Sequence, residues 1–224
     1  LGIAVLRMEG SYPDGSIVDR VDHAVAAASR RIGIDRNRIA VLGFSRYGLQ
    51  VSYLLTHAGQ TKFAAAAILD SFELSYSRYL QTAVFEPTFS AEDRNFTSAE
   101  VPHGGSFWSD KQFWLRNEVT FKVDRVTTPI FLTTHVAPDA YRDRGSEALL
   151  GALNLNAKSS DYAWFPTGAH SLIRPREREG ERGLIRNWIL FWFGREAEVP
   201  PDLRRRWAAD GAQQQEREGR PAKP

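Results

Sequence analysis

The chain has 224 residues, of which 42% are hydrophobic and 25% are charged, a size and balance typical of one soluble globular domain. Its 29 Lys and Arg residues nearly balance its 27 Asp and Glu residues, so charge gives no broad basis for binding nucleic acid. The sequence has no cysteine, which excludes disulfides, thiol catalysis and cysteine-ligated zinc, and no apolar run long enough to cross a bilayer.

The first part of the chain alternates short apolar runs with longer helical patterns. A buried strand is predicted over residues 2–9, where aliphatic and β-branched residues dominate, and a helix over 17–32. A second strand is predicted over 39–43 and a second helix over 46–58. The run 63–70 is rich in alanine, but its place in the alternation favours a third strand over a helix.

The second part of the chain begins with a stretch that has no long period. Residues 71–127 mix aromatic residues with Gly, Pro and Asp, and they indicate an inserted, partly helical cap over the end of the sheet. Beyond the insert we predict a strand, a helix, a strand and a helix, at 127–135, 145–154, 161–166 and 176–193. A polar, frayed or disordered tail, 200–224, is predicted to follow a catalytic domain of residues 1–199.

This alternation predicts an α/β fold, in which a mostly parallel sheet has helices on both faces. The chain opens without Met and already inside a strand-like run, so we expect it to be the later part of a longer protein, truncated at its N-terminus. No signal peptide is visible, and we expect a cytoplasmic location, with the periplasm as the alternative. In parallel sheets, reactive groups gather at the carboxyl ends of the strands.

The segment AVLGFSRYGLQ, residues 40–50, is typical of the strand–turn–helix corner on which hydrolases mount a nucleophilic serine. Gly43 lies two positions before Ser45, and Gly48 lies three positions after it. At such a corner the N–H of the next residue, Arg46, points at the developing oxyanion. Ser45 is therefore the predicted nucleophile, and a helix N-cap is its alternative role.

Two further residues follow predicted strands in the order of an α/β-hydrolase, in which the serine precedes the acid and the acid precedes the histidine. Asp139 follows the strand at 127–135, and His170 follows the strand at 161–166. A serine hydroxyl needs an adjacent base, and imidazole titrates in the right range, so His170 is the predicted base. Asp139 is the predicted carboxylate that fixes the tautomer of His170.

Other residues compete for both supporting roles. Asp143 lies in the same loop as Asp139, and Asp70, at the end of a strand, is an alternative acid or a cap for the segment after it. Among the histidines, His135 competes most directly because it also ends a strand, but it precedes the acid position. The remaining histidines lie in helical patterns or in the insert: His23, His57 and His103.

Three segments together resemble the catalytic domain of the prolyl oligopeptidase family of serine peptidases. They are IDRNRIAVLGFSRYG, VTTPIFLTTHVAPD and DYAWFPTGAH, and the resemblance extends from about residue 1 to residue 194. It implies an α/β-hydrolase domain with the triad Ser45, Asp139 and His170, a peptide substrate, and an N-terminal β-propeller in the full-length protein. No metal or organic cofactor is implied, and no nucleic-acid or membrane partner is expected.

A narrower resemblance is to the bacterial lasso-peptide isopeptidases. Most family members have glycine at position 47, but Tyr47 is similar to the bulkier residue of that group, and Gly48 is expected to take over the close helix contact. The segments HGGSFWSDKQFWLRNEVTFKVDRVTTP and RNWILFWF resemble the same group. The resemblance implies that Ser45 attacks the isopeptide linkage between a backbone amine and an Asp or Glu side-chain carbonyl. A carboxylesterase and a truncated, non-catalytic peptide-binding domain are the alternatives.

Candidate substrate-binding residues lie beside the nucleophile and in the insert. They are Tyr47, Trp108 and Trp114, with Phe113 next to the last of these. The aromatic residues of the insert fit equally well as a small core of the insert itself. For the side chain of Arg46, a solvated arginine is favoured over one that faces a substrate carboxylate.

Overall fold

The computed structural model describes residues 2–8, 16–57, 59–71, 75–77, 79–80, 106–135, 146–166 and 169–218. Within these ranges four strands form one sheet: β1 (Ala40–Phe44), β2 (Ala65–Leu69), β3 (Ile130–Thr134) and β4 (Ser160–Trp164). They lie in the order β1-β2-β3-β4, and every neighbouring pair is parallel. All four strands were predicted, and the parallel α/β-hydrolase sheet is confirmed.

Helices connect and cover these strands. They are α1 (Ser16–Ile32), α2 (Arg46–Thr56), α3 (Lys111–Asn117), α4 (Glu147–Leu155), α5 (Pro175–Trp192) and α6 (Pro201–Glu218), with 3₁₀ helices at Val119–Arg125 and Glu196–Glu198. The helices α1, α2, α4 and α5 match the predicted ones closely. None of the helices in the described ranges is both long and apolar enough to span a bilayer.

Strand β2 shows how the sheet separates two core layers. Successive side chains of a strand point to opposite faces. On one face Ala66 and Ile68 pack in a cluster with residues of α2, α4 and the 3₁₀ helix Val119–Arg125. On the other face Ala65 and Ala67 pack in a cluster with residues of α5 and α6. The double covering fixes the sheet, and with it the positions of the loops at the carboxyl ends of the strands.

The first residues of the chain differ from the prediction of a strand over 2–9, because residues 2–8 form no strand. Val5 is 89% exposed and Leu6 is 56% exposed. A strand is stabilised when its backbone N–H and C=O groups pair with a neighbour. The sheet formed by the described residues ends at β1, and no strand in it pairs with this segment.

The C-terminal segment is also different from its prediction, because residues 201–218 form helix α6 rather than a frayed tail. The side chain of Trp207 is fully buried, and its indole N–H donates to Asp161 Oδ2 over 2.6 Å. Gln214 Oε1 accepts a hydrogen bond from the backbone N–H of Ser159 over 2.7 Å. The helix thus packs on the α5 side of the sheet, while the proposed domain boundary at residue 199 stays a prediction.

The insert predicted over 71–127 is partly helical where the structure describes it. Its described part contains α3 and the 3₁₀ helix Val119–Arg125, and no strand. Asp110 caps α3 by accepting a hydrogen bond from the backbone N–H of Phe113 over 2.8 Å. His103 and the other residues of 81–105 lie outside the described residues.

Candidate active site

Ser45 occupies a strained turn between β1 and α2. Its φ of 56° and ψ of −127° lie in a region that non-glycine residues rarely adopt. Its N–H donates to the carbonyl of Leu69 over 2.9 Å, and its carbonyl accepts from the N–H of Gly48 over 2.8 Å. A Cβ at Gly43 would lie 2.3 Å from the carbonyl oxygen of Tyr47, so this turn requires glycine at position 43.

The close contact between α2 and the end of β2 is made at Gly48 and not at Tyr47. A Cβ at Gly48 would lie 2.4 Å from Ser71 Cβ and 3.0 Å from Ile68 Cγ2. Tyr47, in contrast, is 45% exposed and does not face this crowded contact. The displaced glycine therefore lets α2 approach the end of β2, as the sequence predicts.

A continuous hydrogen-bonded chain starts at Ser45. Its Oγ lies 2.8 Å from His170 Nε2, and His170 Nδ1 lies 2.5 Å from Asp70 Oδ2. A carboxylate only accepts hydrogen bonds, so Nδ1 carries the proton and the bare Nε2 accepts from the serine hydroxyl. The ring of Phe44 stacks on the imidazole of His170 at a centroid distance of 4.8 Å. Two predicted residues, Ser45 and His170, are thus brought together as expected.

The carboxylate that bonds His170 belongs to the residue that directly follows β2. Asp70 has a φ of 40°, a left-handed conformation that aspartate tolerates better than most residues. Its N–H donates to the carbonyl of Thr133 over 2.9 Å, and its Oδ1 accepts from the backbone N–H of His135 over 2.7 Å. Asp139 and Asp143 lie outside the described residues, so Asp139 as the acid stays a prediction.

His135 lies next to Asp70, on the side away from Ser45, and its side chain is only 2% exposed. Its Nε2 lies 2.6 Å from Glu181 Oε1, and its Nδ1 lies 2.8 Å from the carbonyl oxygen of His170. The hydroxyl of Thr133 also donates to Glu181 Oε1, over 2.8 Å. Burial alone would lower the pKa of His135, but its hydrogen bonds and the charges of Asp70 and Glu181 raise it above the ordinary value. Burial opposes ionisation of Glu181, but the hydrogen bonds from His135 and Thr133 lower the pKa of Glu181.

The predicted oxyanion donor, Arg46, directly follows Ser45 in the chain. Arg46 is the first residue of α2, and the N–H of a first helical residue has no partner within the helix. Its side chain is exposed, as expected for a solvated arginine. Within the described ranges, no three metal-ligating side chains converge on a common point.

The two tryptophans of the insert have different environments. Trp114 is 0% exposed and packs against Tyr79 and Phe107, with ring centroids 5.0 Å and 5.9 Å away. A fully buried ring cannot touch a substrate, so the structure corrects the expectation for Trp114 and favours a core of the insert. Trp108 is 64% exposed, and its substrate contact stays a prediction.

Several solved structures share this fold at low sequence identity. The isopeptidase AtxE2 superposes with a TM-score of 0.64 at 20% identity, covering 88% of this chain and 28% of that one. For puromycin hydrolase the TM-score is 0.58 at 21% identity, covering 79% of this chain and 25% of that one. For the acylaminoacyl peptidase of Pyrococcus horikoshii it is 0.58 at 20% identity, covering 78% and 27%. The chain thus spans about a quarter of the length of each of these proteins.

A family model extends the comparison beyond the fold. A search of curated proteins finds no match to the chain. The model of the prolyl oligopeptidase family, however, matches residues 6–196, which include Ser45, Asp70 and His170. The match covers most of the chain and all four strands that the structure describes. The chain belongs to the prolyl oligopeptidase family.

Proposed function

We propose that this chain carries the catalytic centre of a serine hydrolase that cleaves peptide or isopeptide bonds. The observation that carries the proposal is the hydrogen-bonded chain of Ser45, His170 and Asp70. A serine on a strained turn, a histidine on its hydroxyl and a carboxylate on the far nitrogen form the arrangement that nucleophilic acyl transfer needs. The family assignment supports the same chemistry.

In the acylation step, Ser45 Oγ attacks the substrate carbonyl carbon while its proton moves to His170 Nε2. The oxyanion that forms accepts a hydrogen bond from the N–H of Arg46. Asp70 stabilises the resulting imidazolium through Nδ1. When the carbon–nitrogen bond breaks, His170 returns the proton to the leaving amine, and the acyl group stays on Ser45.

In the deacylation step, water takes the place of the amine. His170 Nε2 accepts a proton from the water as its oxygen attacks the acyl carbon. The second tetrahedral intermediate releases a carboxylic acid, and the proton on His170 returns to Ser45 Oγ. Each cycle therefore leaves the protein unchanged and consumes one water molecule.

We assign the acid role to Asp70 because its carboxylate contacts His170 and is only 9% exposed. Asp139, which the sequence predicts from its place after the strand at 127–135, is the alternative. Replacing each carboxylate separately by its amide distinguishes the two, because only the true acid fixes the tautomer of His170.

For the substrate, we propose the isopeptide bond between a backbone amine and a side-chain carbonyl. AtxE2, which shares the fold, is an isopeptidase, and a further structure of it holds Astexin3-dC4. The exposed rings of Tyr47 and Trp108 are the proposed substrate contacts. An N-terminal β-propeller that limits access to the site is part of the proposal for the whole protein.

A substrate panel tests the proposal. The panel comprises p-nitrophenyl esters, linear peptides and a threaded peptide with an isopeptide-closed ring. We expect amide or isopeptide cleavage that Ser45→Ala reduces by roughly 10³-fold or more. Ser29→Ala is the matched control, because this serine lies on α1, where its hydroxyl donates only to the carbonyl of Val25. Ester turnover alone would indicate a carboxylesterase, and peptide binding without turnover would indicate a non-catalytic domain; either result overturns the proposal.

A further inference from the structure

His135 contacts the catalytic centre twice, once through its backbone and once through its ring. Its N–H donates to Asp70 Oδ1 over 2.7 Å, and its Nδ1 lies 2.8 Å from the carbonyl oxygen of His170. Because Asp70 also bonds the His170 ring, these contacts close a loop of hydrogen bonds that joins β2, β3 and the histidine segment. The loop holds the backbone and the ring of His170 at the same time.

Both ring nitrogens of His135 face oxygen acceptors. Nδ1 faces a backbone carbonyl, which cannot donate, and Nε2 faces the carboxylate of Glu181, which also accepts from the hydroxyl of Thr133. A neutral imidazole has a single N–H and can satisfy one of these oxygens only. The lowered pKa of Glu181 favours its ionised form, which cannot donate, so the doubly protonated, charged imidazole is the form that satisfies both oxygens.

We propose that His135 is a positioning residue: as an imidazolium held by Glu181, it donates to the carbonyl of His170 and keeps that histidine between Asp70 and Ser45. This inference rests on the proposed function, since it concerns how the base is held. The sequence offers His135 as a rival base, but its nearly complete burial leaves it no access to a substrate.

The charged groups that face His135 determine what happens when it loses a proton. Asp70 Oδ2 lies 3.6 Å from its Nδ1, Glu181 lies at Nε2, and Arg182 neighbours Glu181. The carboxylate of Glu181 retains the proton on Nε2, so Nδ1 is the nitrogen that deprotonates. The bare Nδ1 of His135 and the carbonyl oxygen of His170 are then both acceptors, so the hydrogen bond between them is lost. The pKa of His135 is raised above its ordinary value, so the contact is present below that pKa and is lost as pH rises through it.

Nuclear magnetic resonance tests the protonation state without any need for activity. Long-range nitrogen–proton correlations of the isotope-labelled chain distinguish neutral from doubly protonated rings for all five histidines. We expect the ring of His135 to be doubly protonated at about pH 6, below the ordinary pKa of histidine. His57 serves as a neutral reference, since burial and the charge of Lys122 lower its pKa. A neutral His135 ring at this pH overturns the proposal.

Two substitutions at the same position separate the donor from the rest of the side chain. His135→Asn keeps an N–H donor near the position of Nδ1 and does not titrate, whereas His135→Gln places its amide near Nε2 and leaves the carbonyl of His170 without a donor. We expect fluorophosphonate labelling of Ser45 to be about tenfold slower in His135→Gln than in His135→Asn, the rate equivalent of one net hydrogen bond. Equal rates in the two variants overturn the proposal.

A third substitution acts through the charge on His135. Glu181→Gln removes the negative charge that favours the imidazolium, so the alkaline fall in labelling rate moves to lower pH by about one unit or more. His135→Asn abolishes that fall. His57→Gln is the control for loss of a half-buried histidine and keeps the wild-type pH profile.

Thermal unfolding of each variant, at the pH of labelling, separates misfolding from mispositioning. A labelling profile that is unchanged in Glu181→Gln overturns the proposal even if stability falls. If the wild-type chain takes no label, the proposed function fails, and the resonance experiment still decides the state of His135.

Discussion

Replacing Asp70 by asparagine should reverse the tautomer of His170, because of the hydrogen bonds that the two carboxylate oxygens of Asp70 make. Oδ1 accepts from the backbone N–H of His135, and Oδ2 bonds His170 Nδ1. In Asp70→Asn the amide oxygen must face the N–H of His135, so the amide NH₂ faces His170. His170 Nδ1 then has to accept, and its proton moves to Nε2, where it points at Ser45 Oγ. The histidine can no longer take the serine proton.

The expected loss is large because the base is in the wrong tautomer. The same replacement in a well-studied serine protease triad lowers kcat by about 10⁴-fold, which corresponds to about 5 kcal/mol of transition-state stabilisation. Asparagine fills the same space and also tolerates the φ of 40° at this position, so we expect the fold to be retained. The assay is the rate of fluorophosphonate labelling, with thermal unfolding measured in parallel.

Asp139→Asn and Asp143→Asn are the matched controls for Asp70→Asn. We expect both to label within about tenfold of the wild-type rate, the range of an indirect effect. If Asp70→Asn stays within that range while Asp139→Asn loses activity, the acid is Asp139, as predicted from the sequence, and the reasoning from the Asp70 contacts is refuted.

Three further predictions concern packing. Gly48→Ala places a Cβ 2.4 Å from Ser71 Cβ and should lower the free energy of unfolding by about 1–3 kcal/mol. Gly151→Ala in α4 is the control, because its Cβ meets no atom within 4 Å and should not be destabilising. Equal effects of the two substitutions in denaturant titrations would contradict this. Phe44→Ala removes the ring stacked on His170, the proposed base, and should slow labelling by roughly 2–10-fold. An unchanged rate would show that stacking is irrelevant. Trp207→Ala removes a fully buried side chain and should cost about 3–5 kcal/mol of stability. A loss below about 1 kcal/mol, close to the effect of a surface substitution, would show that α6 is not part of the fold.

The sequence predicts that Ser45 and His170 come together because local pattern and chain order determine the positions of both. Ser45 lies in a turn in which Gly43 is required by contacts with Tyr47 and Gly48, four and five residues further along the chain. His170 follows a strand that the apolar pattern predicts. The parallel order of the strands follows from the helical crossovers between them. These are short-range constraints, and a single sequence displays them.

The contacts around the base could not be predicted in the same way. Asp70 and His170 are 100 residues apart, and His135 and Glu181 are 46 apart. Which carboxylate reaches Nδ1 depends on where the histidine segment crosses the sheet edge. Chain order does not separate Asp70 from Asp139, because both lie between the serine and the histidine. Glu181 lies in a charged stretch of α5 that has no motif, so its contact with a buried histidine has no signal in one sequence.

At the two ends of the described chain, composition predicts the wrong secondary structure. Helix α6 is rich in charged residues, and this masks the spacing that places Leu203, Trp207 and Gln214 against the core. At the other end, residues 2–8 have the composition of a strand, but a strand also requires a neighbour with which to pair. Tertiary contacts decide both cases, and composition does not report them.

The most direct test of a Ser45 nucleophile activated by His170 is to map the site of covalent modification. The chain is treated with a fluorophosphonate, digested and analysed by mass spectrometry, beside Ser45→Ala and His170→Ala. We expect one adduct, on the peptide that contains Ser45, which is absent from Ser45→Ala and forms roughly 10³-fold more slowly in His170→Ala. An adduct on another residue, or labelling of Ser45 at an unchanged rate in His170→Ala, would contradict the account.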